Sequence, residues 1–249
     1  MTTEGHPFAE IEPEVTITPR PEADLKEILR TDLGSGFVPL EVGAETKWAF
    51  WDWPERVLTW VYHSRTVGTM RYRGEDLLEI ANRGIGPEEE AYWAHTLYRV
   101  ADESLQGVLG ISRESAVRGK IEEYDATPEP LRMRLGDTAT GHWVARCGDW
   151  TRGEGDVYRE VVDGVFAVTV PAGEFLCLRK TLWIRNAAGA GTALAELYVA
   201  DTGRSVYWHR YNGPTWRNYE ELGGAGVPER EYDGVVWRLY YDCMPDISL

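Results

Sequence analysis

Leu97-Tyr98-Arg99-Val100-Ala101-Asp102 returns, one residue shorter, as Leu197-Tyr198-Val199-Ala200-Asp201. Upstream, Pro39-Leu40-Glu41-Val42-Gly43 followed by Trp48 is echoed by Leu131-Arg132-Met133-Arg134-Leu135-Gly136 followed by Trp143. The echoes keep one order in both halves, which points to two copies of one unit. Around them, aromatic and β-branched residues dominate short runs bounded by Gly, Pro, Asn and Asp, the pattern of strands and turns. Examples are Trp48-Ala49-Phe50-Trp51, the run 56–63 and the run 175–185. The expected fold is therefore all-β, a long curved antiparallel sheet or an open or closed barrel built from two tandem β-repeats. We place an arm and one short helix in residues 1–35, repeat one at 36–127 and repeat two at 128–249, all within a single β domain.

Residues 21–30 supply the helix: Pro21 suits a first turn, acids follow it, and Leu25, Ile28 and Leu29 share one helical face. Within repeat one, 91–100 reads as a strand, and 105–111 with 116–123 as a hairpin. In repeat two, Asp163-Gly164 is a two-residue hairpin signal, and Pro171-Ala172-Gly173 and Asp201-Thr202-Gly203 mark further turns. The loop 186–191 should join another pair of strands. Residues 212–228 resist assignment, and 235–243 read as a last strand.

Bulk properties exclude some partners. The formal charge is −15, with 41 acidic against 26 basic residues, which repels a phosphate backbone and an anionic lipid surface. Nucleic acid is not an expected partner. No apolar run reaches the length of a membrane span. Three cysteines, Cys147, Cys177 and Cys243, make neither a disulfide framework nor a zinc-ligand spacing. The first residues lack a basic and an apolar export region, so the expected location is cytoplasmic, or that of an exported lipoprotein if a leader has been removed.

Three pieces of repeat two carry a resemblance. They are Pro130-Leu131-Arg132-Met133-Arg134-Leu135-Gly136-Asp137-Thr138, Val168-Thr169-Val170-Pro171-Ala172-Gly173-Glu174-Phe175-Leu176-Cys177-Leu178, and Glu196-Leu197-Tyr198-Val199-Ala200-Asp201-Thr202-Gly203-Arg204-Ser205-Val206. Together they resemble a broad group of bacterial β-rich proteins of unknown function, many secreted or lipid-anchored, with a Val-Pro-Ala-Gly-x-Phe-x-Cys hairpin. The resemblance spans 128–210 and is weaker in the first copy. It implies a curved antiparallel sheet or open barrel and no particular activity. Asp201-Thr202-Gly203-Arg204 departs from the group's apolar, Gly-rich turn.

The 11 Trp and 13 Tyr are the compositional oddity. Each pairs a large apolar surface with a polar tip, which suits sheet packing or the wall of a cavity. Trp60, Tyr62, Trp183, Tyr198, Tyr207 and Trp208 are the candidate wall residues for a small hydrophobic or aromatic ligand. On the run 175–185, Cys177, Arg179, Thr181 and Trp183 alternate with Leu176, Leu178, Leu182 and Ile184, giving one mixed and one apolar face. His209, Tyr198 and Glu196 are the candidate catalytic residues should the same cavity serve a cofactor-free cyclase or isomerase. A docking sheet in a protein-interaction module is the third reading. His63, His95, His142 and His209 fall in predicted strands, but no His-x-His or His-x-x-x-His occurs, so neither a metal nor a cofactor is expected. Cys177 beside Arg179 would be a nucleophile only with a lowered pKa; a buried inert thiol is the plainer reading.

Overall fold

The computed structural model describes residues 14–34, 37–52, 57–85, 91–115, 118–147, 150–185, 191–210 and 215–218. These hold eighteen strands. The first three are β1 (Thr16–Pro19), β2 (Glu27–Leu29) and β3 (Glu45–Asp52). A series of long strands follows: β4 (Val57–Tyr72), β5 (Glu75–Ile85), β6 (Ala91–Ala101), β7 (Ser104–Ser115) and β8 (Arg118–Ala126). Short pieces come next: β9 (Glu129–Pro130), β10 (Arg132–Arg134), β11 (Thr138–Gly141), β12 (Trp143–Cys147) and β13 (Trp150–Arg152). The second long series is β14 (Val157–Val170), β15 (Gly173–Arg185), β16 (Gly191–Ala200), β17 (Ser205–Arg210) and β18 (Thr215–Asn218).

Sixteen strands form one antiparallel sheet in the order β1-β14-β15-β16-β17-β18-β3-β4-β5-β6-β7-β8-β12-β13, with β11 on β14 and β9 on β7. Each series is a meander, and β18 joins the second to the first by pairing Thr215–Asn218 with Trp51–Trp48. The echoed stretches occupy matching places: 97–102 and 197–201 each end a strand at a hairpin, in β6–β7 and β16–β17. Both hairpins carry a register shift within the echo, at Leu97/Tyr98 and at Tyr198/Val199.

The stretch 138–147 makes the link between the two ends. Its first half, β11, pairs with Tyr158–Val161 of β14, and its second half, β12, pairs with Glu123–Ala126 of β8. His142 lies between the halves, outside both strands. No single residue of 138–147 is paired to both neighbours, so the sheet curls without closing into a barrel.

The helix expected at 21–30 is absent. Residues 27–32 are extended, and β2 pairs with β10 through Ile28↔Met133. Ile28, Arg30 and Asp32 are buried while Leu29 and Thr31 face outward. Residues 27–34 and 37–40 form a strap held by backbone bonds: Arg30 N–H to Leu131 O at 2.9 Å, Thr31 N–H to Gly203 O at 2.8 Å and Leu40 N–H to Thr31 O at 2.9 Å. Ile28, Leu33, Phe37 and Val38 are buried along it, each contributing roughly 1.5–3 kcal/mol. That burial and pairing outweigh the local helical preference.

A second correction concerns Asp163-Gly164. It is no hairpin turn but a bulge inside β14, where pairing with β15 shifts between Val162 and Gly164. A bulge inserts one residue and sharpens the local bend. β4 has its counterpart between Thr66 and Gly68. The turns at 171–172 and 201–203 are hairpins as expected. The expected loop 186–191 and the expected strand 235–243 fall wholly or mainly outside the described residues.

Apolar side chains cluster on both faces of the curled sheet. Val162, Val165, Leu178, Leu197 and Val199 pack with Ile28 and Met133 on the strap side. Phe166, Val168, Cys177, Tyr198 and Tyr207 form a second cluster, under Val15 and Ile17. In the first series, Trp48 and Tyr62 are opposite each other in register and stack with centroids 4.0 Å apart.

Candidate functional site

Where β11 leaves β14 for β12, a cavity of about 390 Å³ opens to the surface past Thr127, Thr140 and His142. Its aromatic wall is Trp143, Tyr158 and Trp208, and Leu182 completes the apolar side. The β8–β9 turn supplies Pro128, and β9 supplies Glu129 and Pro130. Strand alternation explains the choice of residues. Tyr158 and Glu160 are two apart on β14, and Glu160 lies opposite Leu182 of β15 and Ala139 of β11. Two further cavities, of about 230 and 280 Å³, also have Glu160 in their walls, and both reach Lys180.

The polar floor of this space is an ion network. Lys180 Nζ donates to Glu160 Oε1 at 3.0 Å and also to Glu129, which in addition accepts from Arg30. Arg30 is completely buried. Burial pushes the Glu129 carboxyl upward, but the charges of Arg30 and Lys180 outweigh it and hold the pKa down at about 2. Burial likewise disfavours the Arg30 charge, and Glu129, Asp32 and Glu160 overcome it, so the guanidinium stays protonated. Asp32 is fully occupied in the strap. It accepts from Ser205 Oγ at 2.8 Å, Ser205 N–H at 2.6 Å and Gly34 N–H at 2.9 Å.

The six aromatic residues proposed from sequence do not share this cavity. Trp208 lines it. Tyr198 and Tyr207 belong to the cluster on the opposite sheet face, with ring centroids 5.8 Å apart. Trp183 is 45% exposed on the same side as Arg179 and Thr181. Tyr62 is packed against Trp48, and Trp60 lies 6.0 Å from the Tyr62 ring. Tyr207 and Trp208 are sequence neighbours on one strand, so their side chains point to opposite faces. Trp143 and Tyr158, by contrast, were not singled out as wall residues.

The proposed catalytic trio does come together, on the face away from the cavity. Tyr198 Oη donates to Glu196 Oε2 at 2.8 Å, and His209 is directly opposite Glu196 in register. Arg179 adds bonds to Asp163 at 2.7 Å and to Glu196 at 3.2 Å. Burial raises the Tyr198 phenol above its ordinary value, and the bond to Glu196 raises it further. The phenol therefore stays protonated at neutral pH and works as a hydrogen-bond donor. Cys177 is buried, and desolvation followed by the Asp201 charge pushes its thiol up to about 12. That is the opposite of an activated nucleophile.

The histidines stand apart. His95 Nδ1 is 2.5 Å from Glu79 Oε1, both buried. His63 Nε2 is 3.2 Å from Glu45. His142 contacts Thr127 and Asp125 at the rim of the cavity. Among the described residues no group of three or more His, Cys, Asp or Glu is placed to hold a metal ion. No helix among them is long and apolar enough to cross a membrane.

Comparison with protein-family models and with curated proteins finds no match. Solved structures similar to the chain include a candidate exported protein with a YmcC-like fold from Bacteroides fragilis. It is 12% identical, with a TM-score of 0.43, covering 73% of this chain and 96% of that one. A candidate lipoprotein from Parabacteroides distasonis is 10% identical with a TM-score of 0.38, over the same shares of the two chains. Those descriptions belong to those two proteins.

Proposed function

We propose that this chain binds one small, chiefly apolar molecule in the cavity walled by Trp143, Tyr158, Leu182 and Trp208. The observation that carries the reading is the cavity itself. At about 390 Å³ it falls in the size range of small-molecule sites, which pair apolar walls with a few polar groups. Those polar groups are Glu129 and Glu160, held in place by Lys180 and Arg30. The role is binding rather than catalysis: the trio Glu196, Tyr198 and His209 faces away from the cavity, and its phenol is a poor base. We also propose kinship with the bacterial β-rich group resembled by the sequence. The quoted pieces fall on β10, the β14–β15 hairpin and the β16–β17 hairpin.

Native mass spectrometry of gently purified chain tests the binding reading. The expected result is an added mass of one small molecule per chain, lost on denaturation and extractable into organic solvent. A bare polypeptide mass that also takes up no added apolar probe would contradict it.

A further inference from the structure

Resting on that reading, we infer that the bound molecule carries a positively charged nitrogen, which lies between the two glutamates and the aromatic wall. Among the described residues, the ionisable side chains lining the 390 Å³ cavity are Glu129, Glu160, His142 and Tyr158, with no Lys or Arg. Lys180 and Arg30 reach the glutamates in a specific way. Among the described residues, every hydrogen bond to Glu129 and Glu160 falls on Oε1. Each carboxylate keeps Oε2 for a further donor, solvent or a ligand that displaces it, since neither oxygen is buried without a partner.

Charge selects among donors. Arg30 and Lys180 balance the two glutamates from behind, and among the described residues the carboxylates, not the cations, line the 390 Å³ cavity. A carboxylate or phosphate ligand would meet those carboxylates first. An ammonium meets them favourably and donates to the Oε2 atoms. Trp143, Tyr158 and Trp208 add the other half of cation recognition, since the faces of aromatic rings attract a cation. Acid plus aromatic walls make a site for a hydrophobic amine. The remainder of such a ligand would lie along Leu182, Pro128 and Pro130.

The test uses three matched probes on the full chain at neutral pH: 4-phenylbutylamine, 4-phenylbutan-1-ol and 4-phenylbutyrate. Binding is read by quenching of tryptophan fluorescence and by calorimetry. The amine should bind at least about ten-fold tighter than the alcohol, the effect of one added charge contact, with the acid weakest. Glu160→Gln should bring the amine's affinity down toward the alcohol's. Glu174→Gln removes an exposed charge far from any cavity wall described, and should keep the wild-type ratio, which separates local recognition from the chain's overall negative charge. If the alcohol binds as tightly as the amine to the wild-type chain, the charged-nitrogen inference falls while the cavity reading stands. If none of the three binds saturably, both fall. The wild-type ratio decides the matter even if Glu160→Gln does not fold.

Discussion

Glu129 is held by two cations at once, Arg30 and Lys180, at the point where the strap, β9 and β15 meet. Arg30 is buried while the Glu129 side chain is 31% exposed, so removing the Glu129 charge should cost roughly 1–3 kcal/mol, less than for a fully buried pair. Glu129→Gln should therefore lower stability by about that amount at pH 7, measured by urea unfolding. The pH dependence follows from the carboxyl's position at about 2, below its ordinary 4.5. A depressed carboxylate stabilises the folded state fully above pH 4.5 and progressively less as pH falls toward 2. Wild type should lose stability across that window, and Glu129→Gln should lose markedly less. An equal decline in both would contradict the assigned role. None of this was legible in the sequence. Glu129 sits in Thr127-Pro128-Glu129-Pro130, which reads as the seam between the two copies, and its cationic partners lie 99 and 51 positions away.

At the scale of elements, the strap is the feature the sequence concealed. Over 27–32 the inward positions are Ile28, Arg30 and Asp32, so two of these three alternating residues are charged and apolar periodicity cannot register them. Leu25, Ile28 and Leu29 then mimic a helical face. The strap is clamped by the β16–β17 turn, where Gly203 accepts from Thr31 and has φ of +86°. A Cβ there would lie 2.3 Å from Leu29 O. Gly203→Ala should destabilise the chain by roughly 1–3 kcal/mol from backbone strain alone, read as a lowered Tm; an unchanged Tm would show that the strap is not clamped there. Strands with inward apolar residues were the legible elements. β6, β7, β8, β15, β16 and β17 fall where the period-two runs place them, and the misassigned Asp163-Gly164 shows a turn signal overridden by long-range pairing with β15.

For the whole molecule, the duplication legible in 97–102 and 197–201 foreshadowed two meanders, and their junction through β18 and β3 gives the long curved sheet that was expected. The location of the cavity was not foreshadowed. It depends on one stretch, 138–147, splitting its pairing between β14 and β8, and no local signal at His142 announces that split. Aromatic density suggested a pocket without saying which face of each strand would line it; of the six residues named from sequence Trp208 lies at this cavity, beside Trp143 and Tyr158, which were not named. Ala139, half-buried on β11, lines two of the described cavities, and Ala139→Trp would fill the space with an indole. The most direct measurement is the binding isotherm of 4-phenylbutan-1-ol to wild type and to Ala139→Trp, with Tm recorded for both. A ligand held in the interior requires saturable one-to-one binding by wild type and at least about ten-fold weaker binding by a folded Ala139→Trp chain. Equal binding by both chains would place the molecule elsewhere, and no binding by wild type would remove the site altogether.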